Sequence, residues 1–415
     1  MGVPFVYTNP QPELVLIQLI YSIVFSIAIV VMRALAFIGN KRFGALFSIR
    51  DNSPSLKVPN YPFAWVHCAS LGEFEQATPV IKEYIALHSS TPILLTFFSP
   101  SGYEPVVANQ PEWLRPMDKV CALPLDTPSR VRSFLKSFDY KVKFFAVCKH
   151  DVWPNLISEL SNSNVPTYVF AAHITEDSQV LKSSFMRWNW AKLTCVLTQS
   201  HESTNLLLEK GINAKTIGDP RVDRVIELAN FASPPEGLLE WKGDAQLVVA
   251  GSTWGPEEVS LTTLPWSDSN KLIVAPHEVS EQNIKRVLNL FNATSRMASL
   301  LSDGKFDTPV IIVDSMGQLT SIYILADVAV VGGGFGKGIH NILEPAANGV
   351  PVVTGPNISR FREADELLAD GILSVASEQN KLAGIVWDNI YQGKPKSNWL
   401  NSQKGSSIKI ASTLP

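Results

Sequence analysis

Apolar and polar positions are distributed unevenly along the chain. From Leu14 to Ile38 it reads LVLIQLIYSIVFSIAIVVMRALAFI, 25 residues with Gln18 and Arg33 as the interruptions. A bilayer-spanning helix needs about 20 mostly apolar residues, so this segment is long enough to cross a membrane. A cleaved signal peptide fits less well, because no Lys or Arg precedes Arg33. A buried core helix and a shallowly inserted monotopic helix share the pattern.

Beyond a polar stretch, 51–59, short β-branched runs alternate with longer amphipathic segments. Strands are predicted at Ala64–His67, Ile93–Thr96, Lys143–Val147, Thr167–Phe170 and Cys195–Thr198, each followed by turn residues and a helical pattern. FASPPEG at Phe231–Gly237 breaks this rhythm. A second series follows at Ala245–Ala250, Leu272–Val274, Val310–Val313, Val328–Val331 and Val350–Thr354. The pattern predicts an α/β protein with two doubly wound, Rossmann-like domains. The expected division is an anchor and basic flank at 1–50, an N-terminal domain at 51–232 and a C-terminal domain at 233–415.

Composition refines the picture in three respects. The 415 residues carry 35 Lys+Arg against 38 Asp+Glu, a net charge of −3, which leaves no electrostatic footprint for nucleic acid. Arg33, Lys41, Arg42 and Arg50 lie on the C-terminal side of the apolar segment while Glu13 precedes it, so the positive-inside rule puts the rest of the chain on the cytoplasmic side. The cysteines, Cys68, Cys121, Cys148 and Cys195, form no C-x-x-C pair, as expected of reduced thiols.

Ligands of open parallel sheets bind beyond the carboxyl ends of the strands, where three constellations stand out. The first is His67-Cys-Ala-Ser-Leu-Gly-Glu73. Gly72 would let the backbone turn tightly, and Glu73 would face the ligand as a general base. Ser70 and Glu73 also have capping-box spacing. The second is Gly332-Gly-Gly-Phe-Gly-Lys-Gly338 with His340-Asn-Ile-Leu-Glu344-Pro345. It matches neither the P-loop nor the dinucleotide fingerprint, yet a glycine turn entering a helix offers N–H groups to a phosphate. His340 and Glu344, four apart, would share a helix face. The third comprises the turns Gly251-Ser-Thr-Trp254, Ala275-Pro-His-Glu278 and Asp314-Ser-Met-Gly-Gln318, singly ordinary caps but together suggestive of a nucleotide pocket. A carboxylate base and an anion cradle suggest group transfer from a phosphate-bearing donor.

At these residues the chain resembles the 3-deoxy-D-manno-octulosonic acid (Kdo) transferases. His67–Glu73 is similar to the family's H-A-V-S-V-G-E, Leu123-Pro-Leu-Asp126 to its P-L-D turn, and Asp151-Val-Trp-Pro-Asn155 to its E-L-W-P-N segment. Gly251-Ser-Thr253, Pro276-His277, Met316-Gly317, Gly332-Gly333, His340-Asn341 and Leu343-Glu-Pro-Ala346 match in order. The resemblance runs from about Trp65 to Phe361, and the glycine–HN–LEPA run is its most specific part. It implies the GT-B fold, with a cleft between two domains, and inverting transfer of Kdo from CMP-Kdo to a lipid A precursor. In that comparison Glu73 is the base, with Ser70, Gly72, Lys149 and Asp151 on the acceptor side. Gly332, Gly333, Gly334 and Asn341 would hold the CMP phosphate and Glu344 the ribose. Ser252, Pro276, His277, Met316 and Gly317 would line the cytidine pocket, with His340 beside them. No metal or further cofactor is implied, the acceptor lies in the cytoplasmic leaflet of the inner membrane, and the apolar leader would anchor the enzyme beside it.

The chain departs from the family pattern in places. Lys149, in Cys148-Lys-His-Asp151, replaces an acidic residue. Ala275-Pro-His-Glu-Val-Ser lacks the first arginine of P-R-H-x-E-R, and Ala171-Ala-His173 stands for N-A-R. The alternatives are another GT-B transferase or a nucleotide-sugar epimerase using a UDP-sugar, of which the epimerase would need no anchor such as Leu14–Ile38, and a non-enzymatic scaffold, which would not need Glu73 or the glycine cradle.

Overall fold

The computed structural model describes residues 12–54, 56, 59–265, 267, 269–294, 296–391, 393 and 395–415; the first part of the expected anchor, residues 1–11, lies outside them. Two compact units result, Met1–Asp223 with Gly405–Pro415, and Arg224–Lys404.

The first unit is built on seven parallel strands: β1 (Phe63–Cys68), β2 (Ile93–Phe97), β3 (Lys119–Ala122), β4 (Val142–Cys148), β5 (Thr167–Ala172), β6 (Cys195–Thr198) and β7 (Ala214–Thr216). Their spatial order is β3-β2-β1-β4-β5-β6-β7. The second unit repeats the plan with β8 (Gln246–Thr253), β9 (Asn270–Pro276), β10 (Ala298–Leu300), β11 (Val310–Ile312), β12 (Val328–Val331), β13 (Val352–Thr354) and β14 (Leu373–Val375). Here the order is β10-β11-β9-β8-β12-β13-β14. Every expected strand is present. The central strands are buried on both faces, which is why they read as continuous apolar runs rather than alternating ones.

In each sheet the chain builds one side from its first strand and then the other, with β11 returning between β9 and β10 in the second, which makes a topological switch point between β1 and β4 and another between β8 and β12.

The division between the units corrects the expected boundaries. It falls inside the helix Pro220–Phe231 rather than at the Phe231–Gly237 break, and the last residues return to the first unit. Asp223 explains the return, because its carboxylate accepts the backbone N–H of Gly405 and of Ser407, both at 2.7 Å. The helix Ser406–Thr413 then packs on α3 (Leu71–Leu87 of the first unit, the third helix of the chain), where the Tyr84 hydroxyl donates to the Pro415 carbonyl at 2.7 Å.

The apolar segment forms α1 (Pro12–Phe37), long and apolar enough to cross a membrane, followed by α2 (Lys41–Asp51). Its two sides differ. Val15, Leu16, Leu19, Ile20, Ile23, Val24, Ile27, Val30 and Val31 are exposed. The other side docks on the first unit: Gln18 Nε2 and Ser22 Oγ donate to Asn155 Oδ1 at 2.8 and 2.9 Å, and the Tyr21 hydroxyl donates to Asp126 Oδ2 at 2.9 Å. Further along, Phe25 meets Trp153, and Ile29 clusters with Phe47 and Leu125. Arg33 closes the α1–α2 turn on Asp51 at 2.8 Å. Each large apolar side chain buried in that cluster is worth about 2 kcal/mol.

Candidate active site

In the first unit the candidate residues gather at the β1/β4 switch point. Ser70, extended at φ −139°, caps α3 with its Oγ, which accepts the Glu73 N–H at 3.5 Å. The Glu73 carboxylate reaches back to accept the Ala69 N–H in a very short hydrogen bond. The capping-box spacing is therefore used, shifted by one residue at the acidic end. Gly72 does not make the turn. It lies in the first turn of α3, and a Cβ added there would meet nothing within 4 Å, so its expected role as a turn residue is corrected.

Glu73 is half-buried, and burial raises its pKa. The Ala69 N–H opposes the rise, Asp151 adds to it, and Lys149 and His67 offset it. The surrounding charges come from strand ends. Lys149, just past β4, takes a left-handed backbone (φ +70°) and donates its N–H to the Phe170 carbonyl at 2.9 Å. Strain of this kind in a non-glycine residue is concentrated at functional sites. His67 is fully buried; its Nδ1 lies 3.0 Å from the Thr96 carbonyl, and its Nε2 faces Asp151 Oδ2 at 3.7 Å. A carboxyl at this position, with its pKa raised, can accept a proton from a bound hydroxyl.

The P-L-D and W-P-N segments act structurally. Asp126, buried, accepts the backbone N–H of Asn155 (3.0 Å) and of Leu156 (2.8 Å), while Asn155 Nδ2 donates to the Asp126 carbonyl (2.7 Å). This lock caps the helix Pro154–Asn162 and receives α1.

In the second unit the candidates surround the β8/β12 switch point. Ser252 (φ +52°) bulges β8, and a side chain on Gly332 would strike its backbone. Gly333 (φ +90°) opens a tight turn in which its carbonyl accepts the N–H of Gly336 and Gly338. Gly334 lies against the backbone of Gly355 with no room for a Cβ. Pro276 ends β9, and His277 donates its N–H to the Thr253 carbonyl at 3.0 Å.

The helix after the glycine turn is shorter than expected, a single turn at Leu343–Ala347. His340 lies outside it, so His340 and Glu344 do not share a helix face. Instead Asn341 Oδ1 accepts the Leu343 N–H at 3.0 Å, and Glu344 accepts from Asn341 Nδ2 (2.8 Å) and Thr320 Oγ1 (2.9 Å). A single turn offers individual N–H groups rather than a long helix dipole. Met316 and Gly317 occupy the turn after β11, where Met316 is 73% exposed.

Two supporting residues went unrecognised in the sequence. Glu257 accepts the Gly333 N–H at 3.0 Å and the Trp254 N–H at 3.1 Å, tying the glycine turn to the end of β8. Glu258, fully buried, pairs with Arg286 at 2.6 Å and accepts the Thr253 hydroxyl at 3.1 Å. Trp254 and Glu257 stand at capping spacing after Gly251-Ser-Thr, a signal lost among ordinary turns. Among the described residues, no group of three or more His, Cys, Asp or Glu could hold a metal ion.

Residues 40–224 match the family model described as 3-deoxy-D-manno-octulosonic-acid transferase (kdotransferase). The chain is 28% identical over 348 residues to the 3-deoxy-D-manno-octulosonic acid transferase of Haemophilus influenzae, covering 78% of each chain. To the transferase of the same name from Aquifex aeolicus it is 29% identical over 312 residues, covering 73% of this chain and 79% of that one. In fold it is similar to the UDP-GlcNAc 2-epimerase of Neisseria meningitidis bound to UDP-GlcNAc, with a TM-score of 0.57, 12% identity, and coverage of 85% of this chain and 99% of that one. The two parallel-sheet α/β units are thus GT-B-like. With the family domain in its first unit and relatives alike over about three quarters of its length, the chain is similar to the 3-deoxy-D-manno-octulosonic acid transferases.

Proposed function

We propose that the protein transfers Kdo from CMP-Kdo to a lipid A precursor, with inversion and without a metal ion, in lipopolysaccharide biosynthesis. The observation that carries this reading is Glu73, a half-buried carboxyl of raised pKa at the switch point of the first sheet, inside the stretch that matches the family model. Glu73 takes the proton of the attacking sugar hydroxyl as that oxygen bonds to the anomeric carbon of Kdo. The bond from that carbon to the CMP phosphate oxygen breaks on the opposite face, and CMP leaves with the electron pair. The second unit supplies the donor site: Asn341 and the N–H groups of the Gly332–Gly338 turn other than those of Gly332, Gly333, Gly336 and Gly338, which already bond within the protein, meet the phosphate in place of a cation, and Glu344 meets the ribose. Ser252, Pro276, His277, Met316 and Gly317 serve the cytidine. In the first unit Ser70, Gly72, Lys149 and Asp151 flank the acceptor.

The protein works at the cytoplasmic face of the inner membrane, with the exposed apolar side of α1 in the lipid. From Gln18 to Arg33, roughly 22 Å of helix, α1 is held to the first unit, so while docked it cannot also be surrounded by an apolar bilayer core of about 30 Å. The anchor is therefore monotopic.

The test is transfer from CMP-Kdo to a tetra-acyl lipid A precursor by the wild type and by Glu73→Gln. Loss of turnover in the variant supports the base assignment, and near-wild-type turnover removes it. Binding of UDP in preference to CMP would undo the donor assignment.

A further inference from the structure

Three rings from three separate segments of the second unit are stacked together. Trp254 follows β8, His277 follows β9, and His340 lies beyond the glycine turn after β12. The ring centroids of Trp254 and His277 are 4.7 Å apart and those of His277 and His340 4.4 Å apart, each pair within 27° of parallel. The Trp254 indole N–H donates to Nε2 of His340 at 3.3 Å.

This last contact has a chemical consequence. Indole nitrogen only donates, so Nε2 of His340 must present a lone pair, and the neutral ring carries its proton on Nδ1. The backbone holds the arrangement in place, because Trp254 N–H and Gly333 N–H bond the same Glu257 carboxylate and His340 N–H donates to the Gly332 carbonyl at 3.2 Å. Burial and the neighbouring His277 both lower the pKa of His340, which favours the neutral ring that the contact requires. Trp254 is itself 39% exposed, so core packing does not account for it.

We infer that Trp254 is a positioning residue of the donor half-site: it fixes His340 as the Nδ1–H tautomer, so that the imidazole offers the anionic donor an N–H. A phosphate or carboxylate carries acceptors, and a ring lone pair turned toward it would repel it. The inference rests on reading the second unit as the donor site, and it adds Trp254 to the residues on which that site depends.

Trp254→Phe keeps a stacked ring and removes the N–H. The full-length protein with 15N-labelled histidine, its His340 signal identified by His340→Gln, reports the tautomer directly. In the wild type Nε2 appears unprotonated; in Trp254→Phe the two tautomers mix. The Kd for CMP and the KM for CMP-Kdo rise about fivefold, as for one lost hydrogen bond, while kcat changes far less. In a His340→Gln background Trp254→Phe has no added effect on CMP affinity, which separates positioning from a general loss of structure. An unchanged His340 spectrum, an unchanged Kd, or full additivity with His340→Gln overturns the inference. If the wild type prefers UDP, the donor assignment falls, but Trp254→Phe must still weaken UDP binding for the role of Trp254 to stand.

Discussion

The Tyr21 hydroxyl, on the leader helix, donates to Oδ2 of Asp126, the same carboxylate that caps the helix Pro154–Asn162 through the N–H groups of Asn155 and Leu156. One buried side chain therefore joins the apolar helix α1 to the frame of the first unit. Tyr21→Phe is expected to cost about 1 kcal/mol in denaturant unfolding. Asp126→Asn is expected to cost more, since an amide opposes a donor to one of three donors.

Asp126 also makes the first unit's stability depend on pH. Burial pushes its carboxyl up to about 6 despite the three donors. A carboxyl raised in the folded state stabilises most below its unfolded pKa of about 3.9, and this contribution is lost as pH rises through about 6. Unfolding measured across pH 4 to 8 should show that loss, and Asp126→Asn should remove it.

Glu73 must be ionised to act as a base, and its pKa is raised. The acidic limb of kcat/KM should accordingly lie above the ordinary carboxylate range, with activity increasing as pH rises through it. Glu73→Gln should lose on the order of 100-fold or more in kcat. A pH–rate profile without a shifted limb would remove burial of Glu73 from the mechanism.

Lys149 and Asp151 pull that limb in opposite directions. Lys149 lowers the pKa of Glu73 and Asp151 raises it. Lys149→Met should therefore move the limb to higher pH and Asp151→Asn to lower pH. The same profiles distinguish these variants from simple losses of acceptor binding, which leave the limb in place.

The glycine turn offers a matched pair of substitutions. A Cβ at Gly334 collides with the backbone of Gly355, whereas at Gly336 the nearest atom is the Gly333 carbonyl oxygen at an ordinary 3.6 Å. Gly334→Ala should cost about 1–3 kcal/mol of stability and most of the CMP affinity. Gly336→Ala should leave CMP binding within about twofold, since it displaces no packed atom. Calorimetric titration with CMP compares the two.

Hydrophobic patterning was enough to locate the interior of both sheets. Each strand from Ala64 to Thr198 and from Ala245 to Thr354 that it indicated is present, because a strand buried on both faces must be apolar throughout. It missed β3, β7, β10 and β14, and these are the four edge strands. Edges are short and only partly covered, as in Ala214–Thr216, where no residue is buried, so their composition carries little signal. The places of the candidate residues were legible for a similar reason: Glu73, Gly332–Gly334 and His340 follow central strands beside the switch points, and Ser252 lies in the bulge near the end of β8.

What the sequence determined by itself was thus the βα order, the apolar leader and the residue types available at each strand end. Tertiary structure decided which of these meet. Asp126 and Asn155 read as parts of two separate motifs, and folding joins them into the seat of α1. His340 and Glu344 looked like helix neighbours, but the turn Gly333–Gly338 sends His340 to Trp254 and His277 instead. The C-terminal helix returns to the first unit because Asp223 holds its first N–H groups. Local sequence encodes period and polarity, which are one-dimensional. Contacts between residues far apart in the chain depend on how sheets and helices pack, and no window of neighbouring residues contains that information.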